Sequence, residues 1–251
     1  MRNLQNRLAF TLAEVLITLA IIGVVAALTI PTLMANYQKT QYVAGLKKAY
    51  AEITEAMKLM ANDYGCSDDL KCTGLFNNDS NTLGTEFKKY FKLAKDCGTT
   101  YDENDEKTKC LSNSYSQYYD ATDERSDMNS AYPGSYNFIT ADGFGISLVN
   151  SSCDTNWDTS NTNLNINSVC AEIFIDVNGL KGPNNSGRDI FGFLITNGKG
   201  PTLYPFGGSE GKDSGQSWVD ASGTPQSCYD GLTSGTYCAG RVMEEGWQMK
   251  Y

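Results

Sequence analysis

Two groups of oxygen-bearing residues stand where an acidic or amide side chain has chemical consequences. Glu14 is the one charged residue in the apolar run from Phe10 to Ile30, FTLAEVLITLAIIGVVAALTI. A carboxylate at a bilayer centre costs up to about 2.5 to 3.5 kcal/mol. It therefore needs either a cationic partner or a place near the headgroups to which it can snorkel. The second group is Asp176, Asn178 and Asp189, which flank the glycine-rich stretch IDVNGLKGPNNSGRDIF over 175–191. Their oxygens, with glycines that let backbone carbonyls turn inward, suit a hard cation such as calcium. The stretch is not an EF-hand, because Leu180 occupies the fifth position of a loop begun at Asp176 and Gly187 stands at the twelfth, where a bidentate Glu is required. An Asp/Asn-capped hairpin loop without metal accounts for the same residues, and both readings stay open at this point.

Composition removes most other chemistry. The 251 residues include no histidine, so Ser-His-Asp and Cys-His catalysis, imidazole acid/base chemistry and His-ligated zinc are excluded. Gly207 to Gly211 (GGSEG) fits G-x-S-x-G in letters alone: it lies among prolines and glycines, and no histidine exists to take the serine proton. The glycines of NGKGP at 197–201 lack the spacing of a phosphate loop. A net charge of −9 repels phosphates, so direct nucleic-acid binding is not expected. The acidic run Asp102 to Glu106 reads as a solvated loop, and Glu244, Glu245 and Trp247 are expected only to pack the tail back on the sheet.

The elements that must position these residues follow from apolar patterning. Residues 1–9 carry Arg2 and Arg7 and no acid. The 21 residues from Phe10 to Ile30 would reach roughly 31 Å as a helix, enough to cross the hydrocarbon core. The basic leader then stays cytoplasmic and the remainder is exported. A cleaved signal peptide, a plain anchor and a leader followed by a retained helix compete for this segment. Small residues at Val24 to Ala27 would suit signal peptidase, but the run exceeds an ordinary signal core and contains Glu14. Beyond Pro31, expected to kink or locally open the helix, Tyr42, Leu46, Ala49, Ile53, Met57 and Met60 form an amphipathic stripe. One helix from Phe10 to about Ala61 is expected, ending at Asn62-Asp63-Tyr64-Gly65.

Further on, Tyr136 to Thr140 and Phe144 to Val149 read as a hairpin about Asp142-Gly143, with more strands at 171–177 and 189–196. The fold class is α+β: a long N-terminal helix packed on a small antiparallel sheet. Eight cysteines all lie beyond the apolar run. No C-x2-C pair suggests zinc, and export into an oxidising compartment suggests disulfides. Of 105 pairings, proximity and the loop-rich surroundings favour the sequential one: Cys66 with Cys72, Cys97 with Cys110, Cys153 with Cys170, Cys228 with Cys238.

Ala9-Phe10-Thr11-Leu12-Ala13-Glu14-Val15-Leu16 resembles the processing site of type IV pilins and type II secretion pseudopilins. The family usually has Gly where this chain has Ala9, and often a larger apolar residue in place of Ala13. The resemblance implies cleavage by a prepilin peptidase between Ala9 and Phe10 and methylation of the new Phe10 amine. Glu14 then becomes the fifth residue of the processed chain, and Pro31 falls where many type IV pilins have a proline. Glu14 would pair with the N-terminal amine of a neighbouring subunit. Loss of Arg2 and Arg7 would leave 18 − 29 = −11 charges.

The implied organisation is a leader over 1–9, a membrane segment over 10–30, a stem helix over 31–64 and a pilin-like exported domain over 65–251. The implied function is a structural, non-enzymatic subunit of a type IV pilus or secretion-type filament. Its implied partners are like or unlike filament subunits, the peptidase, an inner-membrane assembly platform and cytoplasmic-membrane lipid. The 176–189 loop resembles D-x-N-G…D-x-F loops of pilin-like proteins, some of which bind calcium. Two alternatives are a membrane-anchored, disulfide-rich adhesive protein that does not polymerise, and a secreted enzyme cleaved near Ala27.

Overall fold

The structure, a computed structural model, describes residues 11–77, 79–99, 109–112, 115, 134–155, 168–197, 200–206, 228, 235 and 238–251. The chain divides into two compact units, Met1–Thr40 and Gln41–Tyr251. Helix α1 runs Leu12–Asp63 and remains helical through Pro31, so the proline removes one backbone donor without ending the element.

In the first unit the described helix is apolar and bare. Leu12 is 78% exposed and Leu28 73%, which water would not favour over burial. This helix is long and apolar enough to cross a membrane.

In the second unit the remaining part of α1 buries one stripe: Val43, Leu46, Ala49, Ile53, Ala56, Met57, Met60 and Ala61. The spacing of three and four places these side chains on one helix face. The helix stops where Gly65 takes φ +68° and its N–H bonds the Asn62 carbonyl at 2.9 Å, a left-handed exit that glycine accepts without strain. Among the described residues six strands follow: β1 (Leu93–Gly98), β2 (Tyr136–Thr140), β3 (Gly145–Thr155), β4 (Val169–Asp176), β5 (Ile190–Thr196) and β6 (Thr202–Pro205). They form one antiparallel sheet in the order β1-β2-β3-β4-β5-β6. The described residues also include short helices α2 (Ser80–Phe87) and α3 (Cys238–Glu244).

The two faces of the sheet differ because side chains alternate along each strand. On β4, Ile173 and Ile175 join the core beneath α1, together with Phe138, Ile146, Phe191 and Phe193. Phe174 points to the opposite face and packs with Leu194, Phe206 and Tyr115. This is the expected α+β, pilin-like arrangement. Four disulfides join Cys66–Cys72, Cys97–Cys110, Cys153–Cys170 and Cys228–Cys238. Each closes a loop of 6 to 17 residues, a local staple that restricts the unfolded chain. Trp247 packs against Tyr50 of α1, with ring centroids 5.4 Å apart, so the tail docks on the helix side of the core and not only on the sheet.

Candidate functional site

At the N-terminal end of α1, Glu14 is held by Thr11. The Thr11 N–H donates to Glu14 Oε2 at 2.9 Å, the Thr11 hydroxyl donates to the same oxygen at 2.8 Å, and the Glu14 N–H donates to Thr11 Oγ1 at 3.2 Å. This is a capping box, T-x-x-E, in which the cap residue and the third helical residue satisfy each other's orphan groups. The carboxylate also lies at the positive end of the helix dipole. Three residues of spacing bring the two side chains together, so the geometry follows from sequence, and T-x-x-E ahead of an apolar run is the signal that marks it. Ala9 and Phe10 lie outside the described residues. Pro31 sits within α1 beside Ile30, 55% exposed, and Leu33, 66% exposed.

The second candidate is the loop between β4 and β5. Asp176 ends β4 and is 2% exposed, while Asp189 directly precedes β5 and is fully buried. Their side chains hold the loop's backbone. Asp176 Oδ1 accepts the Asn178 N–H at 3.1 Å. Asp189 accepts the Asn184 N–H on Oδ2 and the Asn185 N–H on Oδ1, each at 2.8 Å. The Val177 N–H donates to the Asp189 carbonyl at 2.9 Å and closes the loop base. The hairpin-loop reading thus describes real bonds. It does not describe all of them: the amide oxygens of Asn178 and Asn184 are buried and accept no hydrogen bond, whereas Asn178 Nδ2 donates to the Gly182 carbonyl at 3.2 Å.

The electrostatics of the loop are unbalanced. Burial, and then the nearby charge of Asp189, push the Asp176 carboxyl well above its ordinary value. Burial also raises Asp189, against the pull of the Asn184 and Asn185 N–H bonds. Tyr42 of α1 is raised by burial and by Asp189, so the stem helix places its hydroxyl in the same field. Spacing marks Tyr42 only as a member of the stripe; its approach to residues 176–189 is a tertiary contact that no local pattern reveals. Among the described residues no group of three Asp, Glu, Cys or His side chains gathers as for a metal. Two acids with orphaned amide oxygens nevertheless fit a hard, oxygen-seeking divalent cation: two negative charges balance the ion, and neutral oxygens fill its shell.

Other sequence candidates do not converge here. Residues 207–211 and 102–106 lie outside the described residues. Glu245 forms an ion pair with Arg241 at 3.0 Å, a helical i,i+4 contact. A cavity of about 320 Å³ lies among Glu52, Glu55, Leu59, Tyr90, Phe91 and Asp142; Lys48 bonds Asp142 at 2.5 Å on its rim.

Residues 4–30 match the family model of the prokaryotic N-terminal methylation motif. That motif is the type IV pilin and pseudopilin signature, and it covers both the Ala9–Phe10 junction and Glu14. It implies processing by a prepilin peptidase and filament assembly in general, with membrane anchoring through the apolar helix beforehand. No curated protein and no solved structure matches the chain.

Proposed function

We propose that this chain is a filament subunit of the type IV pilin or pseudopilin kind, released from its leader between Ala9 and Phe10 and methylated on the Phe10 amine. The observation that carries the reading is the prepilin motif at 4–30 laid over an apolar helical run whose one carboxylate, Glu14, is capped by Thr11. Cleavage before Phe10 leaves Thr11 and its amide N–H in place, so the capping box survives processing. Two donors on one carboxylate oxygen leave lone pairs on the other, and the ammonium of the next subunit can take them. At about 4 Å and an effective dielectric of 20 the pair is worth on the order of 4 kcal/mol before desolvation. Methylation preserves the amine's charge. Packing the bare helices together in a filament, fed from the cytoplasmic membrane by an assembly platform, would cover apolar surface that Met1–Thr40 does not cover by itself. Intact-mass measurement of the processed chain tests this. The expected mass begins at Phe10 and carries one methyl group; a chain beginning near Ala27 would identify an ordinary exported protein instead.

For the β4–β5 loop, the reading that the geometry supports best is a structural calcium site at Asp176, Asn178 and Asp189. Two carboxyls raised by burial, Asp176 further by the charge of Asp189, beside acceptor oxygens without donors, favour it over a cap alone, because a buried polar group without a partner costs roughly 1–3 kcal/mol. Thermal unfolding with and without millimolar calcium tests it; an unchanged transition would return the loop to a purely structural role.

A further inference from the structure

We infer that Asn184 is a ligand of the cation in the β4–β5 loop, its side-chain amide oxygen joining those of Asp176, Asn178 and Asp189. The inference rests on the calcium reading and adds to it a residue that spacing did not single out. Asn184 is 5% exposed, and its amide oxygen accepts no hydrogen bond. Its backbone N–H donates to Asp189 Oδ2 at 2.8 Å, which ties the residue to one of the two buried carboxylates. The backbone there is left-handed, φ +58°, a conformation that costs most residues free energy and that asparagine tolerates best after glycine. A buried, left-handed asparagine whose main chain bonds one carboxylate and whose side-chain oxygen accepts nothing from the protein is what a loop shaped to hold a cation would contain.

Charge balance fixes the class of ion. Asp176 and Asp189 supply two negative charges, and Asn178 and Asn184 supply uncharged oxygens, so a divalent cation leaves the buried site neutral. A soft metal is disfavoured, since the set has neither sulfur nor imidazole. The ion would also bear on the tail. The Tyr251 hydroxyl donates to the Gly187 carbonyl at 2.7 Å, and a Cβ on Gly187 would run into Cys238, so residues 184–189 and the C-terminal segment are packed as neighbours.

The test uses the full-length chain in detergent, with calcium chloride as the probe, titrated by calorimetry and by thermal unfolding. Asn184→Gly keeps the left-handed backbone, which glycine adopts freely, and removes the oxygen; it is expected to unfold near the parent's calcium-free temperature and to bind calcium at least tenfold more weakly. Asn184→Asp keeps an oxygen there and adds charge; it is expected to bind more tightly than the parent. Parent-like affinity in both variants would overturn the role of Asn184 while leaving the calcium site standing. No heat and no thermal shift with the parent chain would overturn the site and the ligand together. Should Asn184→Gly fail to fold, Asn184→Asp decides alone: unchanged or weakened binding would count against the inference.

Discussion

Glu14 and the Asp176–Asp189 pair are carboxylates placed in apolar surroundings by opposite means. Glu14 stands exposed at the start of an exposed helix, satisfied by Thr11, and in the proposed filament it would be buried by a neighbouring subunit. The two aspartates are buried by folding itself, held by their own loop's N–H groups and left with an excess of negative charge. The first arrangement suits a reversible event between molecules, because the monomer keeps the charge comfortable until a partner supplies an ammonium. The second suits a permanent ligand that becomes part of the fold. A carboxylate's role is thus set by when it loses water as much as by where it lies.

The largest effect is expected from Glu14→Ala. Processed mass should remain that of a chain beginning at Phe10, since the scissile bond does not use the carboxylate, while filaments seen by electron microscopy should fall below detection. Normal filaments from this variant would remove Glu14 from assembly and erase the contrast with the aspartates. Next comes calcium removal. Calcium at about 100 times its Kd would stabilise by about 2.7 kcal/mol, and for a domain of this size each kcal/mol moves Tm by roughly 2–4 °C. Chelation should therefore lower Tm by roughly 5–10 °C. Asp176→Asn sharpens the point through its sign: it should raise the calcium-free Tm by removing a buried charge and abolish the gain from calcium.

A smaller effect is expected from Thr11→Val, which keeps the N–H bond to Glu14 and deletes the hydroxyl. Loss of a helix cap costs about 1 kcal/mol, to be read as faster amide exchange over residues 12–15 in detergent with filament yield reduced and not abolished.

Smallest is a carboxylate that belongs to neither class. Asp96 is drawn below its ordinary value even though burial opposes this, because Lys88 at 2.5 Å and Tyr136 at 2.9 Å both donate to it. Its contribution is present above the unfolded pKa near 3.9 and is lost as the pH falls through the lower folded value. Lys88→Met should cost under about 1 kcal/mol at neutral pH and flatten the fall of stability below about pH 4, measured by denaturant titration at several pH values.

Legibility in the sequence followed the range of the interaction. The stripe from Tyr42 to Met60 and the Asp142-Gly143 hairpin are local patterns, and α1, β2 and the start of β3 lie where those patterns put them. Central β4 and β5 were readable from their β-branched and aromatic content, as expected of strands buried on both faces. The edge strands were not. β1 (LAKDCG) carries charges suited to a solvent-facing edge, and β6 is four residues ending in Pro205. Helix α2 was hidden by its polar SNTLGTEF sequence; Gly84, a poor helix former, stands there because any Cβ would run into Tyr136.

The candidate sites divide the same way. Thr11 and Glu14 meet across one helical turn, and Asp176, Asn178 and Asp189 share one loop. Asn184 gained meaning only from its bond to Asp189, and Tyr42 only from the packing of α1 against a loop more than a hundred residues away.

The claim that an ammonium and Glu14 meet between subunits can be tested by zero-length carbodiimide coupling of filaments assembled from an equal mixture of light and heavy-isotope chains. Trypsin would release Phe10 to Lys39 as one peptide, holding both the amine and the carboxylate. The account predicts coupled pairs of this peptide joined from Phe10 to Glu14, including light–heavy pairs, and their loss in Glu14→Gln. Coupling confined to single copies, or efficient light–heavy coupling that persists without Glu14, would contradict it.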